Sequence, residues 1–171
     1  MVPMVPQGPL PSARSAEDYG GLRADAWPIL PPAMTTDPRT ALERLRAAAA
    51  DGRLGEMCRR HDLELLVVFG SAIDPDEPAP HDLDLAYRAR RDAEISVPRL
   101  LADLVQLAGS EDLDLLDLAR ASTVARDQAL RAGEPLFEGR PGAFAGAQAA
   151  AMTLRMDSAW LRQLSLETMA R

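Results

Sequence analysis

Residues 63–69, Leu-Glu-Leu-Leu-Val-Val-Phe, constrain this chain more than any other stretch. The run has strand length and is apolar on both alternating faces, so it reads as a buried strand that must be covered from two sides. It stops abruptly at Gly70-Ser71. Residues 72–81 then hold three prolines and three acids, which make a loop. After them, Asp82-Leu83-Asp84-Leu85-Ala86-Tyr87 alternates acid with apolar residue, the mark of a strand with two unlike faces.

Helical patterns surround these strands. Asp37-Pro38 is a helix opening, followed by Leu42, Leu45 and Ala49 at helical spacing. Leu54, Met57, Cys58 and His61 recur at i, i+3, i+4 and i+7, which makes His61 a packing residue of a second helix. Ser96 is placed to cap a third helix, with Val97, Leu100, Leu101, Leu104, Val105 and Ala108 as its apolar face and Gly109 as its stop. Residues 112–118 form a third strand. Ser122 or Thr123 caps a helix running to Ala132 with Gly133 as its stop, and Pro135-Leu136-Phe137-Glu138 is a short edge strand. A last helix spans residues 143–169, with Trp160, Leu161 and Leu164 on one side. Its Ala- and Met-rich stretch at 143–156 reads as a core helix that can also serve as a surface for a partner or a homo-oligomer. The expected class is α+β, a small sheet covered by helices. Residues 1–36, rich in proline, form an extended and partly disordered arm, able to dock on a partner through Trp27; residues 37–171 form the folded domain.

Composition limits the function. Net charge is −7 with a pI near 4.8, which argues against a broad nucleic-acid-binding face. It leaves room for a nucleotide, because metal ions neutralise phosphate locally. Lysine is absent, so direct cationic contacts must come from Arg. Cys58 is the only cysteine, which rules out an intrachain disulfide and a cysteine zinc cluster and suits a reducing cytoplasm. No basic segment followed by an apolar run opens the chain, so no signal peptide is expected. No apolar stretch reaches the length of a membrane span.

Three places carry chemistry. Glycine at position 70 lets a ligand approach the backbone, and Ser71 adds a hydroxyl beside consecutive N–H groups; the same pair also suits a plain turn. Asp82 and Asp84, at i and i+2 of a strand, share a face. Two carboxylates so close repel unless a cation lies between them, and paired Mg²⁺ ions are a known way to use such a site for phosphoryl transfer; a solvated strand face is the other reading. Asp112, Asp114 and Asp117 could add a third carboxylate, as metal ligand or general base.

The spacing joins them. Gly70-Ser71, ten residues, then Asp82-x-Asp84 resembles the Gly-Ser-x10-Asp-x-Asp signature of minimal nucleotidyltransferases in the DNA polymerase β-like superfamily. Asp114-Leu-Leu-Asp117-Leu-Ala-Arg-Ala resembles that family's third-acid strand, where the first Asp is the functional one; Asp112 is its rival and Asp117 reads as structural. The resemblance covers roughly residues 40–168, including Gly-x-x-Leu-Phe at 133–137 and the closing helix with Asp157. Among such proteins the chain looks most like the nucleotidyltransferase antitoxins encoded beside HEPN-domain toxins. That likeness implies the polymerase β-like fold with a small mixed sheet, and AMP transfer from ATP to a tyrosine hydroxyl of a HEPN ribonuclease partner. It implies two Mg²⁺ ions on Asp82 and Asp84, with Asp114 joining the metal site and helping to deprotonate the acceptor. Gly70 and Ser71 would hold the β and γ phosphates. The alternatives are transfer to a small-molecule hydroxyl or an RNA end, and an inactive antitoxin that acts by binding alone.

One segment departs from the family pattern. Where relatives carry Ala, a basic residue and Gly, this loop carries Asp74-Pro75-Asp76-Glu77-Pro78. Three added negative charges oppose a triphosphate, and Arg88, Arg90 and Arg91 are the candidates to compensate. His81 abuts the acids, as a plain loop residue or an aid to proton transfer or phosphate binding.

Overall fold

A computed structural model describes residues 33–169, with side chains through Met156. The expectations for the arm before residue 33, and for the side chains of Asp157, Trp160, Leu161 and Leu164, lie outside the described residues. The element order is α1 (Pro38–Ala50), α2 (Arg53–Arg60), β1 (Leu63–Phe69), β2 (Leu83–Ala89), α3 (Val97–Ala108), β3 (Leu113–Asp117), α4 (Thr123–Arg131), β4 (Glu134–Glu138) and α5 (Ala143–Met169).

The four strands form one mixed sheet in the order β3-β2-β1-β4. β1 pairs antiparallel with both β2 and β4, and β2 pairs parallel with β3. The apolar run therefore takes an inner position, as its two-faced hydrophobicity requires. Each face feeds a separate core. On one side, Leu66, Val68, Leu83, Leu85 and Tyr87 pack with residues of α1, α2 and α3. On the other, Leu65, Val67 and Ala86 pack with Ala129, Leu130, Ala147 and Ala151 of α4 and α5. A register shift between Leu63 and Leu65 inserts one residue, so Leu63 joins the first core while Leu65 serves the second.

Local chemistry explains most boundaries. The Asp37 carboxylate accepts from the N–H groups of Arg39 and Thr40 and starts α1, with Pro38 in its first turn. Gly109 ends α3 in the left-handed conformation. Ser122 Oγ accepts from Ala125 N at 3.2 Å and caps α4.

Four expectations need correction. Ser96 occupies the cap position of α3, yet its side chain accepts no capping hydrogen bond. Gly133 is not a left-handed stop: α4 ends at Arg131, with its cap residue Ala132 in the right-handed region. A Cβ at Gly133 would lie 2.2 Å from Ala129 O and 2.6 Å from Val67 Cγ1, so glycine serves there to let chain and strand touch. His61 does more than pack: its Nε2 sits 2.8 Å from Asp103 Oδ2 and links α2 to α3. In α5 the buried residues among those described are Ala143, Ala147 and Ala151, one turn apart, with Phe144 packed against the same core. Met152 and Met156 are exposed beside a cleft between α4 and α5.

Candidate metal and nucleotide site

The sheet pairing brings the expected residues to one end of three strands. Phe69, the last residue of β1, pairs with Asp84 on β2, and Asp84 pairs with Asp114 on β3. Asp82 immediately precedes β2 and shares the Asp84 face. One oxygen from each of Asp82, Asp84 and Asp114 lies within 4.8 Å of the others. Asp82 and Asp84 are half-buried and Asp114 is exposed. Leu83 and Leu85, fully buried on the opposite face, anchor the strand behind the acids.

Gly70 stands against this cluster. Its φ of 78° and ψ of −156° fall in a region that side chains do not tolerate. A Cβ there would lie 2.0 Å from Asp84 Oδ2. Glycine is thus required twice over, by the backbone and by the carboxylate that occupies the space. Ser71 opens a single 3-10 turn, Ser71–Ile73, closed by Asp74 N donating to Ser71 O at 3.2 Å.

The electrostatics of the triad call for a cation. Burial first, then the charges of Asp82 and Asp114, push the Asp84 carboxyl up to about 6. None of the ion pairs among the described residues involves these three carboxylates. Three hard oxygen donors, crowded and short of a counter-charge, fit Mg²⁺, which takes few protein carboxylates and leaves its other positions to water and phosphate.

The remaining acids separate cleanly. Asp112 is exposed and outside the triad; its carbonyl accepts from Leu83 N at 3.0 Å. Asp117 lies at the other end of β3, where Oδ1 accepts from Ala119 N at 2.8 Å and shapes a turn. His81 is exposed.

The expected compensation by Arg88, Arg90 and Arg91 is not found. All three lie at or beyond the end of β2 remote from Asp82 and Asp84. Arg88 Nε is 3.0 Å from Glu64 Oε2, and its Nη2 donates to Ala143 O at 3.2 Å. The cation that reaches the acidic loop is Arg39, from the first turn of α1. Its Nη2 donates to Asp74 O at 3.1 Å and also to Glu77 O. Spacing along the chain carries no trace of this contact, since 35 residues separate Arg39 from Asp74. The one local sign is a basic residue in a helix's first turn, where the dipole favours acids.

Comparison with known proteins follows the same lines. A family model described as polymerase beta, nucleotidyltransferase, matches residues 53–141, more than half of the chain and a span that contains the five candidate residues. A search of curated proteins finds no match. Among solved structures, a toxin–antitoxin with AMP-PNP aligns with a TM-score of 0.54 at 23% identity, covering 69% of this chain and 96% of that one. A tri-AMPylated Shewanella oneidensis HEPN toxin in complex with MNT antitoxin aligns with a TM-score of 0.52 at 22% identity, covering 74% and 99%. The MntA–HepT toxin–antitoxin aligns with a TM-score of 0.51 at 22% identity, covering 71% and 97%. At these identities the solved structures establish a common fold. With the family match across α2 to β4 and the acids gathered beside Gly70, the chain belongs to the polymerase β nucleotidyltransferase family.

Proposed function

We propose that this nucleotidyltransferase is the cytoplasmic antitoxin of a toxin–antitoxin pair, and that it transfers AMP from ATP to a tyrosine hydroxyl of a cognate HEPN ribonuclease toxin. The observation that carries the reading is the triad Asp82, Asp84 and Asp114, its oxygens within 4.8 Å of one another beside Gly70. The structural neighbours, one with AMP-PNP and one with a tri-AMPylated HEPN toxin, support the choice of nucleotide and acceptor protein.

In this reading Asp82, Asp84 and Asp114 hold two Mg²⁺ ions, which when bound offset triphosphate charge and favour ionisation of the acceptor hydroxyl. Gly70 lets the Asp84 carboxylate stand against the backbone beside the phosphates, while Ser71 donates its hydroxyl and N–H to the β and γ phosphates. Asp114, exposed at the edge of the triad, takes the proton from the tyrosine hydroxyl. The tyrosine oxygen bonds to the α phosphorus, the bond to the β-phosphate oxygen breaks, and pyrophosphate leaves.

The test uses the full chain, Mg²⁺, ATP labelled at the α phosphate, and the HEPN protein encoded beside it. Label and an AMP mass increment should reach a partner tyrosine. Asp82→Asn combined with Asp84→Asn should abolish transfer while leaving the fold intact. If the double variant protects against the toxin as well as the wild type does, and no label is transferred, the antitoxin acts by binding and the enzymatic reading fails.

A further inference from the structure

We propose that Arg39 is a positioning residue for the nucleotide: it holds the 74–77 loop so that Ser71 is presented to the triphosphate and the loop carboxylates stay folded onto their own backbone. The proposal rests on the reading of Gly70-Ser71 as the phosphate cradle.

The loop cannot satisfy itself. Pro75, Pro78 and Pro80 remove three N–H donors from the ten residues that join Ser71 to Asp82, so its carbonyls need donors from elsewhere. Arg39 supplies them from a single atom, Nη2, whose two hydrogens reach Asp74 O at 3.1 Å and Glu77 O. Asp74 O also accepts from Glu77 N at 3.4 Å, and Asp74 N donates to Ser71 O at 3.2 Å. A continuous series of hydrogen bonds therefore runs from the Arg39 guanidinium to the backbone of Ser71.

The carboxylates follow the same path. Asp74 Oδ1 accepts from Asp76 N at 2.9 Å, and Glu77 Oε1 accepts from Ala79 N at 3.2 Å. With the backbone pinned, these two side chains are engaged with their own turns, and the guanidinium brings its positive charge to the carbonyls of Asp74 and Glu77. The mount is firm, because Ala41, Leu42, Leu45 and Ala48 of the same helix are buried in the first core. A basic residue at this point opposes the α1 dipole, and what the helix gains from its charge is attraction to the Asp37 cap. The Arg39 side chain makes none of the capping hydrogen bonds of α1, which run to Asp37 from the backbone N–H groups of Arg39 and Thr40.

The test compares full-length wild type, Arg39→Ala and Arg39→Lys. Two readouts are used: affinity for a non-hydrolysable ATP analogue with Mg²⁺ by calorimetry, and hydrogen exchange of the amides from 74 to 79. Arg39→Ala should weaken analogue binding roughly tenfold, as expected for loss of a charge-assisted contact to the loop, and speed exchange there while β1 amides keep their protection. In the transfer assay its KM for ATP should rise with kcat within about threefold. Arg39→Lys should restore most of the affinity, because one ammonium nitrogen also carries enough hydrogens to bridge two carbonyls. Faster loop exchange with unchanged analogue affinity would overturn the proposal and leave Arg39 a plain anchor. Failure of Arg39→Lys to recover any affinity would overturn it as well. Wild type that binds no analogue would remove the cradle reading and this proposal with it, whereas tight wild-type binding matched by Arg39→Ala removes only this proposal.

Discussion

Gly70 and Asp84 compete for the same volume, and glycine resolves the competition by having no Cβ. Gly70→Ala would place a methyl carbon 2.0 Å from Asp84 Oδ2 and force a backbone of φ 78° on a residue that resists it. The expected cost is about 1–3 kcal/mol of stability. Because the carboxylate must swing aside, calorimetric Mn²⁺ binding should also be lost, and a urea melt with a metal titration checks both. Asp84 carries the opposite conflict, stability against function. Its carboxyl is pushed up from 3.8 to about 6 by burial and by Asp82 and Asp114, so the folded state holds this proton more tightly than the unfolded chain does. The stabilisation is complete below pH 3.8 and drains away as pH rises through 6. Metal-free wild type should therefore be less stable than Asp84→Asn at pH 7.5. The gap should narrow as pH falls from 6 towards 4, as melting temperatures of the two proteins across pH would show. Equal pH profiles would remove the electrostatic account of the triad.

At the scale of elements, two glycines in helical surroundings make opposite demands. Gly133 sits where α4 meets β1, and an added Cβ would meet Ala129 O at 2.2 Å and Val67 Cγ1 at 2.6 Å. A backbone oxygen cannot step aside cheaply, so Gly133→Ala should cost about 1–3 kcal/mol by forcing α4 off the sheet. Gly146, inside α5, has nothing within 4 Å of its virtual Cβ. Gly146→Ala should add about 0.5–1 kcal/mol, because alanine loses less backbone freedom on entering a helix. Urea denaturation of the pair separates the roles: a destabilised Gly146→Ala would mean that α5 packs more tightly there than described. The pair also shows where reading by pattern stops. Gly109 and Gly133 both follow a helix in the sequence, yet only Gly109 has the left-handed backbone of a helix stop. The difference arises because β1 passes under the end of α4, a fact of chain crossing that local spacing does not encode.

For the molecule as a whole, the site is a seam between strands, and anything that fills it ties them together. Mg²⁺ with an ATP analogue at about a hundred times its Kd should add about 2.7 kcal/mol, raising the melting temperature of a chain this size by about 5–10 °C. Asp82→Asn combined with Asp84→Asn should abolish that shift; a shift that survives would place nucleotide binding elsewhere. Much of this molecule was readable in one dimension. The run at 63–69, apolar on both faces, demanded an inner strand with two covering layers, and β1 has both. The alternation at 82–87 put Asp82 and Asp84 on one face by strand periodicity alone. Asp112 has the same local pattern as Asp114; the family likeness favoured Asp114, and the parallel register sets that residue opposite Asp84. The loop resisted most. Its charges suggested help from Arg88, Arg90 and Arg91, which are near in sequence, but a seven-residue strand carries such neighbours to the opposite end of β2. The cation came instead from Arg39, which packing of α1 against the sheet delivers to the carbonyls of Asp74 and Glu77. Side-chain periodicity and glycine spacing act over a few residues, so the sequence by itself determined the strands, the Gly70-Ser71 turn and the Asp82/Asp84 pair. That the third acid stands opposite Asp84, and which arginine reaches the loop, depend on register and helix packing between distant segments, and only the tertiary structure decided those.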